Sequence, residues 1–280
     1  MLHANHVAGN IESGAMPQNF GSNPCSNLPA CTTPSGPGQQ SRTGSFAFPG
    51  SLILHTKRLA KGENQENYTS LYRLRYQVYC HETHFLNPEN YPDGLERDEF
   101  DGVSEHFLTA NAINDEIIGT VRLVRWSPQL SFPTAAFYTS LLEQLDRLHF
   151  PLASTAEISR LCISKQFRRR AMDGLLGVES NAVSSDQRRR YPEVILELFK
   201  IMHLASKYDL GITHWIATFE NSLYRLLERY GVHLALLSSD EIDYYGKVKI
   251  FGASIRQMEE ALKVRRPELY AFFCEQPENA

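Results

Sequence analysis

The segment Thr155–Ser164, TAEISRLCIS, constrains this chain more than any other. It alternates and has the branched apolar content of a sheet strand. Yet it carries Glu157 and Arg160 amid Ile158, Leu161 and Ile163, where a core strand avoids charge unless the charge is paired or used. Simple alternation puts Glu157, Ser159 and Leu161 on one face, and Ile158, Arg160 and Cys162 on the other. Two readings stay open at this point, a structural ion pair and a reactive site.

The rest of the chain builds a sheet around that strand. SLILHTKRL from Ser51 reads as a strand. Residues 66–82 place Leu71, Leu74, Val78 and Tyr79 on one helical face. A polar loop follows, and then SEHFLTANAI and EIIGTVRLV flank Asn114-Asp115, a hairpin signal. Residues 139–149 read as a short helix, and a basic loop, KQFRRRAMDG, follows the charged strand. A long helix runs from Tyr191-Pro192 to Gly211, THWIATF is a strand, and a helix ends at Gly231. VHLALLS and IDYYGKVKIFG read as strands, with SIRQMEEALKVRR as the final helix. Antiparallel strands first and helix-linked strands later imply an α/β (α+β) fold. Its mixed central sheet is flanked by helices on both faces. Ligands in such sheets sit at strand ends, where neighbouring strands part.

Residues 1–48 are rich in Gly, Pro, Ser, Asn and Gln, too poor in apolar groups to offset chain entropy, and read as a disordered tail before a domain of residues 49–280. The net charge of −4 argues against a whole-chain nucleic-acid binder, and no run of eighteen apolar residues predicts a membrane span. Five cysteines without a tight framework fit a reducing cytoplasm, and the N-terminus does not read as a secretion signal. Cys80, His81, Glu82 and His84 are dense enough for metal ligands, but no second pair has zinc-like spacing, so no metal is expected.

Three further charged groups stand out. Arg75 lies in an apolar helical stretch and needs a partner if buried. Glu96, Asp98, Glu99 and Asp101 crowd into six residues and repel one another unless cations or solvent hold them. Arg122, between Val121 and Leu123, points to solvent or reaches a carboxylate across the sheet.

In this order, RLRYQVYCHE, ERDEFD, HFLTANA with IIGTVRLV, AEISRLCIS with FRRR, and HWIATFENSLYRLLERYGV resemble the exosortase-associated (PEP-CTERM) acyltransferases. These belong to the GNAT superfamily of acyltransferases and are similar to N-acyl amino acid synthases and acyl-homoserine-lactone autoinducer synthases. The resemblance covers roughly residues 50–275. It implies a GNAT-like fold and transfer of a long-chain fatty acyl group to the amine of an amino acid or similar acceptor. The donor is the acyl-phosphopantetheine of acyl carrier protein, or acyl-CoA, with no resident cofactor, and attack is direct, in a ternary complex. Residue by residue, it carries over Arg75 with Tyr79, Phe85 in place of the family's Trp, Asp98 with Asp101, Arg122, and Glu157 with Arg160. The donor loop has Arg168, Arg169, Arg170 and Gly174 but lacks the usual Gly-x-Gly spacing, which suits the carrier-protein branch.

The chemistry then sorts as follows. Glu157 is the expected base, directly or through water. A backbone N–H beside a strand bulge near Arg160–Cys162 is expected to hold the oxyanion. Arg75, Arg122, Asp98 and Asp101 are expected to form a charge network closing residues 84–101 over the acceptor, and Arg122 or Arg160 could pair with an acceptor carboxylate. Tyr79, Phe85, Ile158, Leu161 and Cys162 line the substrate, with Cys162 read as a packed thiol rather than a nucleophile. The basic runs 168–170 and 188–190 offer acidic carrier protein a docking face. The alternatives are an acyl-CoA-dependent GNAT enzyme, a non-catalytic module binding carrier protein or lipid, and an α/β protein whose charges are only structural.

Overall fold

In a computed structural model, the structure describes residues 53–62, 65–168, 190–244 and 247–275. The elements follow the expected order closely. β1 spans Leu54–Arg58 and α1 spans Gln65–Tyr76, continued by a π-helical turn, Gln77–Glu82. β2 (Ser104–Asn111) and β3 (Ile117–Arg125) pair antiparallel about the expected hairpin, where Asp115 adopts a left-handed φ of 55°. Asn111 and Asn114 accept backbone N–H groups within that turn, at 3.0 and 3.2 Å, which explains why Asn suits it. α2 (Leu141–Arg147), β4 (Thr155–Ile163) and a short α3 (Lys165–Arg168) come next. They are followed by α4 (Arg190–Leu204), β5 (His214–Glu220), α5 (Asn221–Arg229), β6 (Ala235–Leu236), β7 (Ile242–Asp243), β8 (Lys247–Ser254), α6 (Ile255–Arg265) and α7 (Pro267–Cys274).

Among the described residues the sheet has eight strands in the order β1-β2-β3-β4-β5-β8-β6, with β7 also on β8. Among the described strands, only the β4–β5 contact is parallel. One face packs on α4, α6 and α7, where Phe107, Val121, Ile158, Trp215, Phe199 and Leu262 form the main core. Burying side chains of that size contributes ~1.5–3 kcal/mol each. A second cluster, with Phe132, Leu141, Leu145, Ile216 and Ile250, covers the opposite face. The expected helices on both faces of a mixed sheet are therefore present.

Four local expectations change. The stretch 232–238 yields only the two-residue β6, because β8 offers it just two partners, Gly252 and Phe251. IDYYGKVKIFG divides into β7 and β8, which pair with each other. A further helix, α7, follows α6, opened by Pro267 and anchored by buried Leu269, Phe272 and Phe273. The loop after β4 begins as a helical turn, α3. The expected tail of residues 1–48 lies outside the described residues. Among the described residues no helix is long and apolar enough to cross a membrane.

Two features of β4 position the site. The pairs Thr120↔Cys162 and Arg122↔Ser159 leave one residue between them on β3 but two on β4. That is a β-bulge at Arg160–Leu161, and Arg160 takes a left-handed φ of 52° within it. On its other side, β4 pairs with β5 only from Thr155 to Ile158. Beyond Ile158 and Ala217 the two strands part.

Candidate functional site

The bulge reorganises the faces that alternation predicts. An extra residue reverses the parity of everything after it. Glu157, Ser159 and Cys162 therefore share the face of Arg122 and Thr120, and Ile158 and Ile163 share the core face. The Arg160 guanidinium joins the Glu157 side, with Nε 3.0 Å from Glu96 Oε1 and Nη2 2.9 Å from Asp98 Oδ2. The expected separation of Glu157 from Arg160 is thus corrected, and so is Ile158, which lies in the core instead of against substrate.

Three arginines and three carboxylates meet above this face. Arg75, fully buried on α1, donates through Nε to Glu96 and through Nη1 to Asp101 at 2.7 Å. Arg122 donates to both Asp98 oxygens at 2.6 and 2.8 Å, to Asp101 at 2.6 Å, and to Ser159 Oγ at 3.5 Å. The carboxylates are held in place by the chain itself. Asp98 caps the 3-10 turn Glu99–Val103 by accepting from Phe100 N at 3.0 Å, and Asp101 accepts from Asp98 N at 2.8 Å. The guanidinium groups of Arg122 and Arg75 hold the Asp98 and Asp101 carboxyls below the usual carboxylate range, against the upward push of burial. The network ties residues 96–101 to α1, β3 and β4, as expected of Arg75, Arg122, Asp98 and Asp101. It also makes Glu96, which has no exposed surface, the link between Arg75 and Arg160. Both Arg122 and Arg160 are engaged by the chain's own carboxylates, which disfavours either as the clamp for an acceptor carboxylate.

Beneath the network lies Glu157, 3% exposed. Its Oε2 accepts the backbone N–H of Thr134 at 3.0 Å and its Oε1 accepts the Thr134 hydroxyl at 2.9 Å. Thr134 sits on a 3-10 turn, Pro133–Ala136, that packs over this face. Burial pushes the Glu157 carboxyl up to about 7, while Thr134, Arg122 and Arg160 pull the other way. A carboxylate of that affinity exchanges a proton near neutral pH, as a general base must. Nothing in the sequence near Thr134 marks its role, since it acts across 23 residues from an irregular loop.

Where β4 and β5 part, Val78, Tyr79, Thr83, Phe85, Leu161, Cys162, Ile163 and Leu223 line a cleft of about 110 Å³. Four of the five expected substrate residues meet there: Tyr79, Phe85, Leu161 and Cys162. Tyr79 donates its hydroxyl to the bulged Leu161 carbonyl at 3.3 Å, and the Arg160 guanidinium lies 5.6 Å from its ring centroid. Burial raises the Tyr79 phenol far above its ordinary value, so it stays neutral. Cys162 is buried beside Leu74, Val78 and Tyr79. Of the donor loop, the Arg168 backbone ends α3, whereas Arg169, Arg170 and Gly174 lie outside the described residues, as do residues 188–189 of the second basic run. A larger hollow of about 190 Å³ between β1 and α4 contains none of the expected residues. His84 turns its Nδ1 to the Cys80 carbonyl, and the His81 ring packs on Tyr76. Among the described residues no group of His, Cys, Asp and Glu is arranged to hold a metal ion.

The acetyltransferase (GNAT) domain family matches residues 74–178, the stretch that runs from Leu74 on α1 through both hairpin strands and the whole of β4. Among solved structures, the acyl-homoserine-lactone synthase LasI matches with a TM-score of 0.52 at 12% identity, over 81% of this chain and 98% of that one. The CoA-dependent acyl-homoserine-lactone synthase BjaI matches with a TM-score of 0.52 at 16% identity, over 76% of this chain and 89% of that one. MesI, also described as CoA-dependent, matches with a TM-score of 0.50 at 17% identity, over 80% and 97%. No curated protein matches this sequence. Residues 74–178 match the acetyltransferase (GNAT) domain model, and the fold of the described residues is similar to that of these solved structures.

Proposed function

We propose that this chain is an N-acyltransferase that moves a fatty acyl group from the phosphopantetheine thioester of acyl carrier protein to the amine of an amino acid or similar small acceptor. The observation that carries this reading is the position of Glu157. A carboxyl poised at about 7 lies beside the point where β4 and β5 part, and an apolar cleft opens there. Transfer to an amine requires that the amine lose a proton and that the thioester lie within reach of it. The parted strands leave room for a pantetheine arm between them, and the cleft behind Tyr79 and Phe85 accepts the start of an acyl chain. The bulge at Arg160–Leu161 diverts backbone groups from the β3 ladder, and one N–H there would stabilise the oxyanion, a contribution of ~3 kcal/mol when such donors are removed elsewhere. The attack is direct. Cys162 packs beside Leu74, Val78 and Tyr79 and is taken as a packed thiol, not the nucleophile. The buried ion network acts as the frame, fixing residues 96–101 over the same face as Glu157.

A second reading takes acyl-CoA as the donor. The description of BjaI and MesI as CoA-dependent favours it; the sequence of the loop 165–174, without Gly-x-Gly, favours carrier protein. The test is a single-turnover assay with acyl-carrier-protein or acyl-CoA and a pool of the twenty amino acids, read by mass spectrometry, with Glu157→Gln alongside. An N-acyl amino acid formed from carrier protein and lost in Glu157→Gln is the expected result. Product from CoA alone establishes the second reading, and tight carrier-protein binding without product refutes the catalytic one.

A further inference from the structure

Glu157 is buried, and each of its oxygens already accepts one hydrogen bond from Thr134, so burial restricts the direct approach of an acceptor amine. The hydrogen bonds around it, however, have a fixed direction. Oε2 accepts a backbone N–H, which can only donate. Oε1 accepts the Thr134 hydroxyl, and a hydroxyl has one proton to give. Thr134 Oγ1 lies 2.8 Å from Thr218 Oγ1, so with the carboxylate ionised Thr218 must be the donor in that contact. When Glu157 is protonated, its proton belongs on Oε1, since Oε2 already faces a donor. Both hydroxyls can then reverse, with Glu157 donating to Thr134 and Thr134 to Thr218. The chain is satisfied in both protonation states, and passing one proton along it exchanges the two.

Thr218 is the outer end. It is half-buried, whereas Glu157 and Thr134 are buried. It pairs with Ile250 of β8 but lies one residue beyond Ala217, the last β5 residue paired with β4. Its side chain thus stands at the mouth of the gap where the proposed donor and acceptor meet. We infer that Thr134 and Thr218 form a relay that carries a proton between Glu157 and the gap between β4 and β5, with Thr218 as its outer, substrate-facing end. The inference rests on the reading of Glu157 as the base. Among the described residues, the charged groups facing Glu157 are Arg122 from β3 and Arg160 from the bulge; Thr134 and Thr218 come from the two other elements packed against it.

The step balances as follows. The acceptor ammonium gives one proton to Thr218, Thr218 passes its own to Thr134, and Thr134 passes its own to Glu157 Oε1. The free amine forms the N–C bond, the C–S bond breaks, and a second proton from the same nitrogen goes to the departing thiolate. The proton on Glu157 returns to solvent along the same chain.

The decisive experiment does not need turnover. The Glu157 carboxyl band, assigned by its absence in Glu157→Gln, is followed by infrared spectroscopy during transfer to D2O at a pH below about 7, where the group is protonated. Wild type is compared with Thr218→Val and Thr218→Ser, with Thr218→Ala replacing a valine variant that does not fold. Exchange slowed about tenfold or more in Thr218→Val and restored in Thr218→Ser is expected. Exchange at the wild-type rate in Thr218→Val, or serine as slow as valine, overturns the relay. If wild type also forms an N-acyl product, Thr218→Val should lower kcat by about ten- to a hundredfold with KM unchanged, at or below the low end of the ~10²–10⁴-fold that general base catalysis supplies. An unchanged kcat overturns the relay's use in turnover. Absence of product in wild type sinks the base reading instead, and the exchange rates still decide the relay.

Discussion

Replacing Glu96 with Gln tests the ion network most sharply. Glu96 has no exposed surface and accepts from Arg75 and Arg160, so the swap changes charge and one donor while keeping shape. The cluster now balances three guanidinium groups against Glu96, Asp98 and Asp101. After the change it carries one buried positive charge in excess, and an amide NH2 faces guanidinium donors. Breaking a buried ion pair from one side costs ~3–5 kcal/mol. A domain of this size loses ~2–4 °C of Tm per kcal/mol, so Tm should fall by ~6–20 °C. Arg97→Gln is the control, because its pair with Asp93 is exposed at both ends and is worth under ~1 kcal/mol. Glu96→Gln combined with Arg160→Met restores the balance, leaving Arg75 and Arg122 with Asp101 and Asp98. The double variant should lose less than the sum of the single losses, by ~1 kcal/mol or more. Thermal and urea unfolding of wild type, Glu96→Gln, Arg160→Met, the double variant and the Arg97→Gln control measure these quantities. A Glu96→Gln protein within 1 kcal/mol of wild type, or strictly additive losses, refutes the claim that these six residues form one interdependent unit.

Glu157 makes a prediction with a definite sign. Its folded-state affinity is raised from 4.5 to about 7, so the folded chain holds an extra proton between those values. That contribution to stability is complete below pH 4.5 and is lost as pH rises through 7. Glu157→Gln should therefore gain stability relative to wild type between about pH 5 and 8, by up to ~3 kcal/mol, and urea midpoints at the two pH values check it. Asp98 and Asp101 behave oppositely: their depressed affinities stabilise above the ordinary carboxylate range, and stability falls as acid protonates them. Asp101→Asn should then flatten the acid limb of an unfolding curve below about pH 4. Cys162→Ala should keep its turnover while losing ~1–2 kcal/mol through the space it leaves; loss of turnover with normal folding would mean an acyl-enzyme. Leu161→Trp, which fills the cleft, should shift the acyl donors used towards shorter chains in a competition assay.

What the sequence discloses about this site depends on whether a signal is local. The long α4 is legible because its buried residues, Val194, Ile195, Leu198, Phe199 and Met202, recur at helical spacing, and Gly211 closes the segment with the left-handed φ of 62° that glycine supplies. The hairpin is legible from Asn114-Asp115. Charge alone says only that Arg75 and Arg122 need partners if they are buried; that Asp98 and Asp101 are those partners comes from the resemblance. Which of the four loop acids turns inward is not: Glu96 and Glu99 look equivalent in the sequence, and only the path of the turn buries one and exposes the other. α7 had a usable signal in Pro267, which begins it, but its eight residues are too short for periodicity to separate from α6.

The faces of β4 show the deeper limit. Alternation reads a strand as if its partners matched it residue for residue. β4 instead gains a residue against β3 at Arg160–Leu161 and loses β5 after Ile158. Both departures belong to pairings, so neither leaves a mark such as Gly or Pro in TAEISRLCIS itself. They fall within the same few residues, and their effects reinforce each other. The bulge turns Arg160 towards the carboxylates that share its side with Glu157, and beyond the parting lie the cleft beside Cys162 and the half-buried Thr218 end of the hydroxyl chain. Charges in a core strand therefore announce that the strand departs from regular pairing, because regular pairing would bury them unmet. Where they lead is decided by β3, β5 and the turn bearing Thr134, at 23 residues' remove or more.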